Sequence, residues 1–348
     1  IPFLEDTHPN VRAHTISTLV QLSGKELVYK IIPFLEDENP NVRAHTINAL
    51  VQLGDKEVID KIIPFLEDTH PTVRSSTINA LVQLGDKEVI DKIIPFLEDT
   101  HPNVRAHTIS TLVQLSGKEL VYKIIPFLED ENPTVRAHTI NALAQLGDKE
   151  VIDKIIPFLE DTHPTVRSST INVLVQLGDK EVIDKIIPFL KDKNPTVRSF
   201  TINALAQLGD KEVIDKIIPF LKDKNSDVRV HTIKALVQLG DKEVIGKIIP
   251  FLEDENSIVR NSTTKALAKL GDKEVIDKII SFLKNENITN AKETIGFTHY
   301  HIGKNYREQS QLQDATYYLE KAQTIFTNIN HEIGLELVQV EFEQIKIV

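Results

Sequence analysis

The chain has 348 residues, no cysteine, no tryptophan and no methionine, and its formal net charge is −11. Without cysteine there is no disulfide, no thiol nucleophile and no thiolate metal site. No secretory signal pattern and no apolar run of bilayer length occurs, so a cytoplasmic protein is expected, and the acidic balance argues against a phosphate-binding surface.

From its first residue the chain repeats every 31 residues. Arg12, Arg43, Arg74, Arg105, Arg136, Arg167, Arg198, Arg229 and Arg260 each follow a valine and keep that spacing. The 16 prolines fall into two series in phase with them, one running from Pro2 to Pro250 and the other from Pro9 to Pro195. A fixed period of this length is the signature of a solenoid, in which each unit packs only on its neighbours. The units have also been copied in threes. Residues 1–93 recur at 94–186 with only Asn41/Thr134, Val51/Ala144 and Ala80/Val173 differing. A chain built this way does not depend on one asymmetric active site within the repeats.

Residues 55–85 serve as the type unit. Val58, Ile59, Ile62, Ile63 and Leu66 are spaced as the apolar face of a first helix, with Asp55 as its N-cap. Pro64 lies inside that helix and is expected to kink it. After a turn, His70 caps a second helix whose first residue is Pro71. Val73, Ile78, Leu81 and Leu84 form that helix's apolar face, and Gly85 ends it. The turn aspartates, such as Asp37 beside Arg43, are expected to bridge adjacent units through a guanidinium and backbone N–H groups.

With Asp68 six residues before Arg74, an alanine-leucine pair and a Leu-Gly-Asp ending, the unit resembles a short HEAT-like repeat. Repeats of this kind occur in phycobilin lyases and in many bacterial scaffold proteins. The resemblance covers residues 1–288, about nine units. It implies an all-α fold, a right-handed α-solenoid of stacked two-helix repeats. The chain opens at Ile1, inside a first helix and without a polar cap. Further repeats or another domain are therefore expected upstream, and self-association through raw repeat ends is compatible with this.

After Asn287 the register fades. Asn290 and Ala291 replace valine-arginine, and a helix runs on through HIGKNY. Ile302, Gly303, Tyr306, Ala315, Leu319 and Ala322 stand at spacings that resemble a tetratricopeptide repeat, with a turn near Ser310. His299 stands where that family often has tryptophan, and Thr327 where it often has proline. Residues 289–348 are accordingly expected to form a tetratricopeptide-like tail that continues the superhelix, with a further helix from His331 and a continuation past Val348.

In HEAT-like solenoids the second helices line the concave face, which places residues one, two, five and nine after each arginine in the groove. These are Ala44, His45, Asn48 and Gln52; Ser75, Ser76, Asn79 and Gln83; His138, Asn141 and Gln145; Asn172 and Gln176; then Phe200, Asn203 and Gln207, with Lys234, Lys265 and Lys269 at the far end. Two readings stand. The amides form a ladder that holds an extended peptide, since each carries a donor and an acceptor. Alternatively, they bond one another and water. His14, His45, His107, His138 and His231 are read as surface histidines rather than metal ligands, because stacked backbones lie ~10 Å apart. No catalytic residue, cofactor or metal is expected. The reading is a non-catalytic protein-interaction scaffold, part of a larger bacterial regulatory protein, with a protein or peptide partner and neither nucleic acid nor membrane. A phycobilin-lyase-like enzyme subunit or chaperone is the alternative.

Overall fold

The computed structural model describes residues 2–22, 28–53, 58–84, 89–115, 121–146, 151–177, 182–240, 244–269 and 291–347. All regular elements among them are helical. Contacts divide the chain into two compact units, Ile1–Leu177 and Gly178–Val348. The boundary expected at residue 288 lies outside the described residues.

The type repeat shows how the sequence makes the unit. Its first helix is an α-helix only over Ile59–Ile62 and continues as a 3₁₀-helix over Ile63–Glu67. The expected kink is thus a change of helix type. Pro64 cannot donate an α-type bond, and as the second residue of the 3₁₀ segment its missing N–H is not needed. Asp68 then turns the chain to extended backbone, and its Oδ1 accepts the N–H of His70 at 2.8 Å. His70 caps the second helix, Pro71–Gln83, through Nδ1, which accepts from Thr72 N at 3.3 Å. In other repeats an asparagine such as Asn39 makes the same cap with its side-chain oxygen. Asp55 and Gly85 lie outside the described residues. Their counterparts in the second unit show the expected roles: Asp210 caps the turn Lys211–Val213, and Gly209 closes Pro195–Leu208 at φ +73.

The apolar pattern becomes the core. Val58, Ile62 and Leu66 of the first helix meet Val73, Ile78 and Leu81 of the second, and all six are buried. Burying each such side chain contributes roughly 1.5–3 kcal/mol. Thr77 is buried among them. Its hydroxyl donates to Val73 O at 2.8 Å, so the polar atom is satisfied within its own helix.

In the first unit the second helices pack in series: Pro9–Leu22, Pro40–Gln52, Pro71–Gln83, Pro102–Leu115, Pro133–Gln145 and Pro164–Gln176. In the second unit Pro195–Leu208, Ser226–Gln238 and Ser257–Lys269 do the same. Seven repeat arginines reach an aspartate 25 residues forward. Arg43 grips Asp68 with Nε and Nη2, both at 2.8 Å, while its Nη1 donates to the carbonyl of Asp37 at 2.8 Å. The bidentate grip recurs at Arg12–Asp37, Arg74–Asp99, Arg105–Asp130 and Arg136–Asp161, and in the second unit at Arg198–Asp223 and Arg229–Asp254.

Helix Ala291–Glu308 packs on Ser257–Lys269, the place of a next second helix, and helices Leu312–Asn328 and Glu332–Ile347 follow. The turn falls at Ser310, which takes φ +61. Ala315 and Ala322 are fully buried, as small contact residues should be.

A polar stripe along the second helices

In the first unit the expected stripe residues lie on the outward face of the second helices. His45, Asn48, Gln52, Gln83, His138, Gln145 and Gln176 are exposed, and Asn79, Asn141 and Asn172 are half-buried. In the second unit Phe200, Asn203, Gln207, Lys234, Lys265 and Lys269 are exposed. The position directly after the arginine is a correction. Ala44 is only 4% exposed, and Ser168 and Ser199 are also buried. The reason is helical geometry: Ala44 shares a face with buried Ile47 and Val51, and that face meets the neighbouring second helix.

Neighbouring repeats are cross-linked along this stripe. Ser110 Oγ and His138 Nδ1 are 2.9 Å apart. The Asn203 amide meets His231 Nδ1 at 2.9 Å, and Gln238 Nε2 donates to Ala206 O at 3.3 Å. Residue five after one arginine thus bonds residue two after the next. Part of the stripe's hydrogen-bonding capacity is spent on joining repeats, through histidine, serine and a backbone carbonyl rather than from amide to amide.

The histidines stand closer than their backbone spacing implies. The rings of His14 and His45 have centroids 6.5 Å apart. Nδ1 of each lies 2.7 Å from the carbonyl four residues back, Asn10 O and Asn41 O, which fixes Nδ1 as the protonated nitrogen. Burial lowers the pKa of His107, His138 and His231. His138 adds to the effect on His107, and Lys234 to that on His231. These three rings are neutral near pH 7. Among the described residues no group of three or more His, Asp or Glu is placed to hold a metal ion.

A family model for HEAT repeats matches eight overlapping spans that run from residue 1 to residue 295. The chain belongs to the HEAT-repeat family. No curated protein matches it in sequence. Similar solved structures include Kap121p, 15% identical with a TM-score of 0.54 over 92% of this chain and 43% of that one. Escherichia coli YibA is 22% identical, with a TM-score of 0.53 over 72% of this chain and 95% of that one. The karyopherin Kap121p bound to the extreme C-terminus of the protein phosphatase Cdc14p is 15% identical, with a TM-score of 0.52 over 97% and 46%. At these identities the likeness is one of fold. The chain spans less than half the length of Kap121p.

Beyond the HEAT matches the tail holds a buried charged cluster that the sequence reading did not single out. Glu341 is 3% exposed. Arg307 Nε lies 2.6 Å from it, Lys304 Nζ lies 3.4 Å from it, and Tyr300 OH donates to it at 3.3 Å. Burial, with Glu341 beside it, pushes the Tyr300 hydroxyl up to about 12. Burial also holds His299 down to about 4, and its ring stacks on Tyr318 at 5.9 Å. The only sequence signal for Glu341 was a carboxylate among the apolar positions Val338, Phe342 and Ile345.

Proposed function

We propose that this HEAT-repeat chain is a non-catalytic protein-interaction scaffold, cytoplasmic and part of a larger bacterial regulatory protein. In this reading the stripe on its second helices holds a protein or extended peptide segment without any cofactor. The observation that carries the proposal is the stripe's register: exposed or half-exposed amides recur at the same two helical positions, at Asn48 and Gln52, Asn79 and Gln83, Asn141 and Gln145, and Asn172 and Gln176. Amides donate and accept, so they match both sides of a peptide bond. An extended segment advances ~3.3 Å per residue and second helices stand ~10 Å apart, so about three residues pass each repeat. That Kap121p is bound in one structure to the C-terminal segment of another protein is consistent with a HEAT scaffold holding a chain end. The tail is proposed as a tetratricopeptide-like continuation.

The test compares the native chain with a variant carrying Asn48→Glu, Asn141→Glu and Asn203→Glu, by affinity capture and mass spectrometry. The expected outcome is a partner held by the native chain and lost by the variant, whose circular dichroism stays native. A partner held equally by both moves binding away from the stripe.

A further inference from the structure

We propose that the second unit carries a docking strip for an acidic peptide segment, formed by Lys234 and Lys265 on adjacent second helices, with exposed Phe200 one repeat before them. The proposal rests on the stripe reading for its geometry and adds the chemistry of the partner.

The argument begins with register. Five residues after the repeat arginine stands Asn48, Asn79, Asn141, Asn172 or Asn203, or a serine at Ser17 and Ser110, but the two last repeats place Lys234 and Lys265 there. Asparagine at the same position elsewhere shows that the fold does not need a cation. The two lysines sit one repeat apart on helices Ser226–Gln238 and Ser257–Lys269, which pack on each other, and both are exposed. On the next helix in the stack, Ala291–Glu308, the same register position is Gly296, and Lys304 further along that helix is paired with Glu341 at 3.4 Å, so the row is made by the two lysines.

Two carboxylates stand on the same helices. Glu293 lies 3.5 Å from His331 Nε2, and Asp227 sits in the first turn of its helix, about two turns before Lys234. Among the described residues neither Lys234 nor Lys265 forms an ion pair. In a chain of net charge −11 this is a local reversal of sign, and it attracts an anionic segment where the whole molecule repels one. Phe200, 42% exposed, stands one repeat before Lys234 and offers an apolar contact. With about three residues per repeat, the matching segment has an apolar residue followed by acidic residues at three-residue spacing.

The probe is a fluorescein-labelled peptide of about 12 residues carrying leucine and two glutamates at that spacing, with fluorescence anisotropy measured on the full chain. Expected are saturable binding, weakening as salt rises from about 50 to 300 mM, and a loss of about tenfold in the Lys234→Gln, Lys265→Gln variant. Substitutions at Lys61 and Lys92, on first helices of the other unit, leave binding unchanged. The proposal is overturned if the peptide fails to bind, if a glutamine version binds equally, or if the double variant keeps full affinity. Tighter binding of single-stranded DNA through the same lysines would overturn it in favour of nucleic acid. If the asparagine variant keeps its captured partner while peptide binding still depends on the lysines, the stripe reading fails and the docking strip stands.

Discussion

Asp130 carries two structural tasks with one carboxylate. It accepts Arg105 Nε and Nη2 from the preceding repeat at 2.8 and 2.7 Å, and the N–H of Asn132 in its own turn at 2.8 Å. Burial pushes its pKa up, but the guanidinium and the backbone N–H pull it further down, so the net shift is downward. Asp37, Asp68, Asp99, Asp161 and Asp223 share this balance. A carboxyl that binds its proton less readily when folded contributes stability above the ordinary carboxylate range. That contribution is lost as pH falls through the folded value. Asp130→Asn is therefore expected to cost about 1–3 kcal/mol near neutral pH, because Arg105 is left buried without its anion. The difference from the native chain shrinks at acidic pH, below the lowered pKa of the folded carboxyl, where the native side chain is itself protonated. Denaturant unfolding at both pH values checks this, and an equal deficit at both would rule out the charge as the cause.

Among the elements, the closest packing is in the tail. Phe326 is fully buried between two helices that approach it through glycine. A Cβ on Gly296 or Gly334 would lie 2.6 Å from its ring. Gly334→Ala is expected to cost about 1–3 kcal/mol by overpacking, and Phe326→Leu in the same chain should recover part of that loss. Thermal midpoints of the single and double variants measure both. The sequence reading found Ala315 and Ala322 by spacing but not this clasp, because a glycine's closeness to a ring on another helix leaves no periodic trace. The first helices repeat the lesson. Pro64 announced a break, yet only the hydrogen-bond pattern shows that Ile63–Glu67 continues as a 3₁₀-helix.

For the molecule as a whole, duplication makes the stack tolerant of change in length. Removal of residues 94–186 joins Ile93 to Ile187 in register, since this span is a copy of residues 1–93. In a solenoid each repeat draws stability from its nearest neighbours. The shortened chain is expected to fold with the same helix content per residue and a lower midpoint, measured by circular dichroism on heating. Loss of helix content throughout would show that distant repeats depend on the excised block.

The 31-residue period by itself determined the all-α repeat architecture, the caps at His70 and its counterparts, the apolar core and the aspartate-arginine ladder. Each of these depends on contacts within a unit or between adjacent copies, which periodicity encodes directly. The stripe was legible as a list of positions, and its exposed residues are where the register places them. Only the tertiary structure decided that Ala44 turns to its neighbour, that His138 and His231 bond residues of the preceding repeat, and that Glu341 is buried under Arg307 and Tyr300. These depend on how one helix meets another, and a side chain's identity does not state which neighbour it will face.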